Sequence, residues 1–168
     1  MRTATKRHSG DRALTNLGLA RLIAQATPIV MLAGALVSQY LGGLYPCEMC
    51  HWQRWPHYAA VPVALLAILI RDGAIGRGLL LLAGLLIMAS GAIGVFHAGV
   101  EYGWWEGITG CAMTANSGDF FQDIMATPVI ACDRPQWTLA GISLAGFNAI
   151  FSFLAAITIL WLTIRKPR

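Results

Sequence analysis

Four long apolar stretches dominate the chain, and shorter segments between them hold nearly all of the charged residues. Each stretch reaches the roughly 20 residues that an α-helix needs to cross the hydrocarbon core of a bilayer. In lipid the backbone polar groups must be satisfied within the segment, so each stretch predicts a helix. The predicted spans are residues 22–41, 51–70, 78–97 and 141–162. The pattern therefore predicts an all-α integral membrane protein, a four-helix bundle forming one domain over residues 22–164 between basic tails at 1–21 and 165–168.

The composition supports a membrane protein. Of the 168 residues 57% are apolar and only 12% are charged, which is a membrane profile and not that of a soluble domain. The formal net charge of +4 raises the question of a nucleic-acid partner. The Lys and Arg residues lie in short segments between apolar runs and form no stripe along a soluble helix, so we expect no nucleic-acid partner.

The basic residues also predict the orientation. Ten of the twelve Lys and Arg residues flank the spans on one side, and only Arg54 and Arg134 lie on the other. The positive-inside rule makes the first side cytoplasmic, with both termini inside. A cleaved signal peptide is the competing interpretation of the start, because Ala33-Gly34-Ala35 resembles a cleavage site. The apolar run continues to Leu41, which favours a retained span.

All four cysteines fall in the two segments predicted to face outward. Cys47 and Cys50 lie at the mouth of the second helix, and Cys111 and Cys132 lie in the long segment before the fourth. This distribution fits an oxidising compartment and dithiol chemistry. The long segment also carries a helical signal over residues 119–125, which predicts a short helix on the membrane surface.

The motif Cys47-Glu48-Met49-Cys50 is a C-x-x-C pair directly after Pro46. If the helix begins here, its positive end lowers the pKa of the thiols. A structural disulfide is the alternative for each cysteine pair, but two pairs facing one compartment also allow a disulfide to pass between them. Zinc needs a different spacing, so we expect no metal. With His51 the motif also reads C-x-x-C-H, the attachment signature of c-type haem.

Three charged or titratable residues near the outer ends of helices are candidates for binding a redox cofactor. Arg54 shares a helix face with Cys50 and Cys47, and its guanidinium could bind a quinone carbonyl; snorkelling to the headgroups is the alternative. His97 and Glu101 lie four residues apart and could relay protons to a quinone. Their alternative is a solvated position at the membrane interface.

Further polar and small residues within the spans indicate helix packing. His57 and Asn148 are expected to form hydrogen bonds between helices. Small residues four apart predict close helix contacts. They are Gly34 with Ser38, Ser90 with Gly94, and Gly141 with Ala145 and Ala149.

Together these motifs resemble the bacterial disulfide-bond formation protein B (DsbB) family. The resemblance rests on the C-x-x-C pair followed by Arg54, on two cysteines in the second outer segment, and on the stretch Cys132-Asp133-Arg134-Pro135-Gln136-Trp137 before Gly141-Ile142-Ser143. It implies a four-helix bundle in the bacterial inner membrane. Such a protein reoxidises a periplasmic thioredoxin-fold dithiol oxidase (DsbA-like) and passes the electrons to ubiquinone or menaquinone.

By position, the resemblance implies a role for each cysteine. Cys111 would form the mixed disulfide with the partner, Cys132 would exchange with Cys47, and Cys50 would face the quinone beside Arg54. The sequence departs from the family in having Met49 where leucine is common, and in a short segment between Cys111 and Cys132. A quinone is also expected for an independent reason. Two disulfides can accept only four electrons, so continuous oxidation of a partner near about −120 mV needs an external electron acceptor.

Overall fold

The computed structural model describes residues 2–70, 73–108 and 132–165, with side chains from residue 16 onward. The described chain is helical apart from one short hairpin. The elements are α1 (Arg2–Tyr40), α2 (Glu48–Leu69), α3 (Gly73–Glu101), β1 (Thr138–Leu139), β2 (Ile142–Ser143) and α4 (Leu144–Ile164). The strands pair antiparallel, with Thr138 opposite Ser143 and Leu139 opposite Ile142.

The helices differ from the predicted spans mainly at their ends. α1 begins at Arg2. α3 covers 29 residues, which gives a helix of about 43 Å, longer than the roughly 30 Å hydrocarbon core requires. Hydropathy identifies only the part of a helix that is apolar enough to lie in lipid. The hydrogen-bonded helix can continue beyond that part into water. α4 begins at Leu144 and not at Gly141, because residues 141–143 belong to the hairpin.

Three of the described helices are long and apolar enough to cross a membrane, namely Asn16–Tyr40, Gly73–Glu101 and Leu144–Ile164. α2 has 22 residues and carries polar side chains in its first half. Two of these, Gln53 and His57, are buried inside the bundle, with 6% and 2% of their surface exposed. The polarity of α2 therefore reflects side chains that face other helices.

Small residues let α3 approach α4 closely. A Cβ atom on Gly94 would lie 3.0 Å from the carbonyl oxygen of Ala145 and 3.1 Å from the amide nitrogen of Ala149. Earlier on α3, a Cβ atom on Gly91 would lie 3.1 Å from the Cβ atom of Ser152. These contacts confirm the predicted roles of Gly94, Ala145 and Ala149 in close helix packing. The same prediction is wrong for Gly34 and Gly141, which are exposed and have open space around them.

Two apolar clusters form the interior. The larger one packs alanines of all four helices around four bulkier side chains, Leu80, Ile87, Ile159 and Leu162. The smaller one lies where α2 begins and α3 ends, and contains Cys47, Met49, Val100 and Cys132. Met49 is fully buried there, so the residue that departs from the family pattern fills the space beneath the cysteines.

The hairpin before α4 was not predicted. Its two turn residues, Ala140 and Gly141, have φ angles of 51° and 78°, as a two-residue turn with both φ angles positive requires. The hydroxyl of Tyr102 accepts a hydrogen bond from the amide of Ser143 and donates one to the carbonyl of Gly141, both at 2.9 Å. The hydroxyl oxygen of Ser143 then caps α4 by accepting from the amide of Gly146 at 3.1 Å.

Candidate redox site at the outer end of the bundle

The C-x-x-C pair lies at the N-terminus of α2, as the sequence predicts. Cys47 is the N-cap residue, and its sulfur accepts a hydrogen bond from the backbone amide of Cys50 at 3.3 Å. The thiol of Cys47 donates to the sulfur of Cys50, with the two Sγ atoms 2.9 Å apart. Glu48, between them in sequence, is exposed. Its carboxylate therefore faces away from the sulfur pair.

The expected lowering of the thiol pKa does not apply to Cys47. The hydrogen bond to Cys50, and next the burial of the side chain, raise the pKa of Cys47 well above its usual range. A negative charge on Cys50 opposes a second one on Cys47 at this distance, so Cys47 is the thiol of the pair that is harder to ionise.

Cys132 comes from the segment before the hairpin and joins the pair. The side-chain amide of Gln136 donates to the backbone carbonyl of Tyr45, which ties this segment to the first outer loop. Cys132 is 9% exposed. The structure thus brings together three of the four predicted cysteines, whereas Cys111 and the predicted surface helix at 119–125 lie outside the described residues.

His97 and Glu101 stand beside the cysteines from α3. The Nε2 atom of His97 lies 3.5 Å from the sulfur of Cys47 and 3.7 Å from Oε1 of Glu101. The side chains of His97 and Glu101 are only 3% and 7% exposed, so the alternative of two solvated interface residues is wrong. One carboxylate oxygen of Glu101, Oε2, has no hydrogen-bond partner among the described residues.

Cys47, His97 and Cys132 also form a cluster of possible metal ligands. One ligand atom from each lies within 4.8 Å of the others, and all three residues are buried. Thiolate and imidazole are the ligands that zinc prefers. The distances alone therefore allow a metal at a site where the sequence spacing predicts none. Whether His97 can be a metal ligand depends on whether its Nε2 atom carries a proton.

Arg54 projects from α2 toward α1. Its guanidinium donates from Nη1 to Oε1 of Gln39 at 2.6 Å and from Nη2 to the carbonyl of Ala35 at 3.3 Å. These bonds hold the charged group between two helices, which argues against simple snorkelling to the headgroups. Sequence reasoning missed Gln39, whose only signal was an isolated polar side chain near the outer end of the first span.

A cavity of about 700 Å³ opens between α1, α2 and α4. Most of its lining is apolar, including Met31, Phe147 and Phe151, and Gly34 on α1 leaves part of its wall open. On the α2 side its lining is polar, with Cys50 and Arg54 at the outer end and His57 deeper, and α1 and α4 add Thr27, Ser38, Asn148 and Thr158. The volume falls in the range of sites for cofactors and drug-sized ligands.

A buried hydrogen-bond network borders this cavity. His57 and Asn148, each expected to form hydrogen bonds between helices, contact one another, with Nε2 of His57 3.1 Å from Oδ1 of Asn148. Asn148 also donates to Oε1 of Gln53 at 2.9 Å and to the carbonyl of Ser90 at 3.1 Å. Gln53 continues the network to His97, with Nε2 of Gln53 2.7 Å from Nδ1 of His97. Sequence reasoning missed Gln53, although it lies three residues after Cys50.

Comparison with known proteins identifies the family. Residues 18–162 match the family model described as disulfide bond formation protein DsbB. A protein of Paracidovorax citrulli named disulfide bond formation protein B is 30% identical over 156 residues, covering 85% of each chain. Its namesake from Marinobacter nauticus is 29% identical over 147 residues, covering 81% of this chain and 85% of its own. An uncharacterized protein of Rickettsia prowazekii is 25% identical over 130 residues, covering 74% of each chain.

No solved structure gives a significant match. The family model covers most of the chain, and it spans every described residue of the redox site. The chain therefore belongs to the DsbB family, membrane proteins that form disulfide bonds.

Proposed function

We propose that the protein is a membrane thiol:quinone oxidoreductase. It reoxidises a periplasmic DsbA-like protein of the thioredoxin fold by disulfide exchange, and it passes the electrons to ubiquinone or menaquinone. The observation that carries this proposal is the position of Cys50, whose sulfur belongs both to the cluster of three cysteines and to the apolar cavity. One residue thus connects thiol exchange with a site for a lipid-soluble acceptor.

The cavity fits a quinone in size and in chemistry. A quinone has an apolar tail and a ring with polar carbonyl oxygens, and the cavity is apolar along most of its wall and polar beside Cys50. Arg54 is the cationic donor at that end, where hydrogen bonds to a ring oxygen would also stabilise the negative charge that reduction produces. When bound, the quinone accepts two electrons and two protons.

The positions of the cysteine sulfur atoms support a defined order of electron transfer. The thiolate of Cys132 attacks the sulfur of Cys47 in a Cys47–Cys50 disulfide, so a Cys47–Cys132 bond forms and the older bond breaks. Its electron pair passes to Cys50, which lies at the cavity beside Arg54. Cys111 is proposed to receive the partner's thiol first, as its position in the family pattern suggests. His97 and Glu101 are proposed to carry protons to the reduced quinone.

In the membrane we propose four spans in the inner membrane, with both termini in the cytoplasm and the redox site on the periplasmic side. The 22 residues of α2 measure about 33 Å, enough to cross the hydrocarbon core. The buried positions of Gln53 and His57 support this assignment, because these polar side chains face other helices and not lipid. The basic residues between α2 and α3 favour a cytoplasmic position for that connection.

The test is quinone reduction by purified protein in detergent, followed by the quinone's ultraviolet absorbance, with a reduced thioredoxin-fold dithiol protein as electron donor. We expect turnover in the wild type and none in Cys47→Ser or Cys50→Ser, with both variants folded and membrane-inserted. The matched control is Thr163→Ala, which removes a hydroxyl that donates to the carbonyl of Ile159 within α4 and is not part of the cavity lining, and it should retain turnover. Unchanged turnover in both cysteine variants would instead favour a scaffold with structural disulfides.

The haem interpretation receives no support from the site. His51 is exposed, and Cys47 is 2% exposed and faces Cys50. A haem attached to both sulfurs would have to replace these contacts. Visible absorption from covalently bound haem in the purified protein would contradict the proposal.

A further inference from the structure

Two buried side-chain amides, those of Gln53 and Asn148, have orientations that the surrounding backbone determines. Nε2 of Gln53 lies 3.3 Å from the carbonyl oxygen of Met49, and Nδ2 of Asn148 lies 3.1 Å from the carbonyl oxygen of Ser90. A carbonyl oxygen can only accept, so each contact requires an amide NH₂ group. The bond of 2.9 Å from Nδ2 of Asn148 to Oε1 of Gln53 requires the same two orientations.

The orientation of Gln53 in turn determines where the proton of His97 lies. The NH₂ group of Gln53 is 2.7 Å from Nδ1 of His97. Nδ1 must therefore accept and carries no proton. A neutral imidazole holds one proton, so the proton of His97 is on Nε2. That N–H group faces the sulfur of Cys47 at 3.5 Å and the carboxylate of Glu101 at 3.7 Å.

We propose that Gln53 is a positioning residue that holds His97 in the tautomer protonated on Nε2 and so directs a hydrogen-bond donor at the sulfur of Cys47. The role rests on the proposed function. When a protein thiolate attacks Cys132 in a Cys47–Cys132 disulfide, a bond to Cys132 forms and the bond to Cys47 breaks. The electron pair stays on Cys47, where the N–H group of His97 stabilises the thiolate.

The same tautomer removes His97 from the metal-ligand cluster. A ring nitrogen binds a metal through its lone pair, and the protonated Nε2 atom has none to offer. Cys47 and Cys132 alone provide two ligands of the four that a structural zinc site needs. The cluster is thus arranged for thiol exchange and not for holding a metal.

The test is ¹⁵N nuclear magnetic resonance of protein labelled at histidine. The chain has four histidines, so the spectrum of a His97→Asn variant identifies the His97 signals. We expect the wild type to show a protonated Nε2 and an unprotonated Nδ1. In Gln53→Glu, an almost isosteric change, the carboxylate can only accept, so Nδ1 should become protonated. Turnover with a reduced dithiol partner at saturating quinone should fall at least about fivefold, as loss of a hydrogen bond to a charged sulfur implies.

The matched control is Ser152→Ala. The hydroxyl of Ser152 donates to Oδ1 of Asn148 at 3.1 Å and belongs to the same network without touching Gln53 or His97. It should leave the His97 signals and turnover unchanged.

A wild-type spectrum with the proton on Nδ1 would overturn the inference, and the His97→Asn variant serves there only to assign the signals. Wild-type His97 signals in Gln53→Glu would also overturn it, as would a changed tautomer with wild-type turnover. The spectra need neither quinone nor partner. If the wild type shows the expected tautomer but reduces no quinone, the proposed function is contradicted and the assignment of the tautomer stands.

Discussion

At the scale of single residues, Arg54 connects the sequence pattern with the cavity. The sequence places it on the face of α2 that carries Cys47 and Cys50, and the structure adds the two acceptors on α1 that hold its guanidinium. Because a planar group with several N–H donors can bind in more than one direction, Arg54 can keep these bonds while another N–H faces the cavity. The bonds to α1 orient the charge before any quinone binds.

Replacing Arg54 should therefore weaken quinone binding. We expect Arg54→Met to raise the KM for quinone about tenfold or more, since losing a charged hydrogen bond costs about 1.5–3 kcal/mol. Arg54→Lys should recover only part of this, because an ammonium keeps the charge without the planar fork. The measurement is quinone kinetics at saturating reduced partner, with protein levels in the membrane checked.

Arg134→Met is the matched control, since Arg134 is the other arginine outside the predicted cytoplasmic flanks and is exposed. It should leave the KM for quinone unchanged. Wild-type quinone kinetics in Arg54→Met would remove Arg54 from the quinone site.

At the scale of elements, the contact of α3 with α4 determines whether the polar network can form. Gly94 lies against the backbone of Ala145 and Ala149, and a Cβ atom added to it would also lie 3.1 Å from Nδ2 of Asn148. A side chain at this position would push α4 away and lengthen the bonds that Asn148 makes to Gln53 and Ser90. The redox site thus depends on a helix spacing that a glycine permits.

Gly94→Val should destabilise the bundle by about 1–3 kcal/mol, the usual cost of overpacking a tight interior. Gly78→Val is a matched control on the same helix, because Gly78 is exposed and has no neighbour within 4 Å of an added Cβ atom. The measurement is loss of helical circular dichroism on titration with denaturing detergent. Equal midpoints for the two variants would show that the contact at Gly94 does not limit stability.

At the scale of the whole molecule, the decisive question is whether α2 crosses the membrane. Glu48 and Ala74 are both exposed and lie on either side of this helix. In a background with all native cysteines replaced by serine, we expect a membrane-impermeant maleimide to label Glu48→Cys in intact spheroplasts. Ala74→Cys should react only after the inner membrane is broken. Labelling of both positions from outside would contradict a spanning α2, and the reverse pattern would invert the topology.

Much of the site could be predicted from sequence because its residues cluster locally. Cys47, Cys50 and Arg54 lie within one helix end, where helical spacing alone places them on one face. His97 and Glu101 were found in the same way. Their burial was not predicted, since it depends on side chains of other elements, such as Cys47 and Gln53 beside His97.

The sequence by itself determined the membrane character and predicted the side on which the cysteines lie and the chemistry they carry, because apolar length, flanking charge and a short motif are local properties. The tertiary structure decided the cavity, the surroundings of His97 and the contact between the two sulfurs. These depend on contacts between residues distant in sequence, such as Gln53 and Asn148, which are 95 positions apart. Helix spacing brings such residues together, and hydropathy carries no information on which polar side chain will face which.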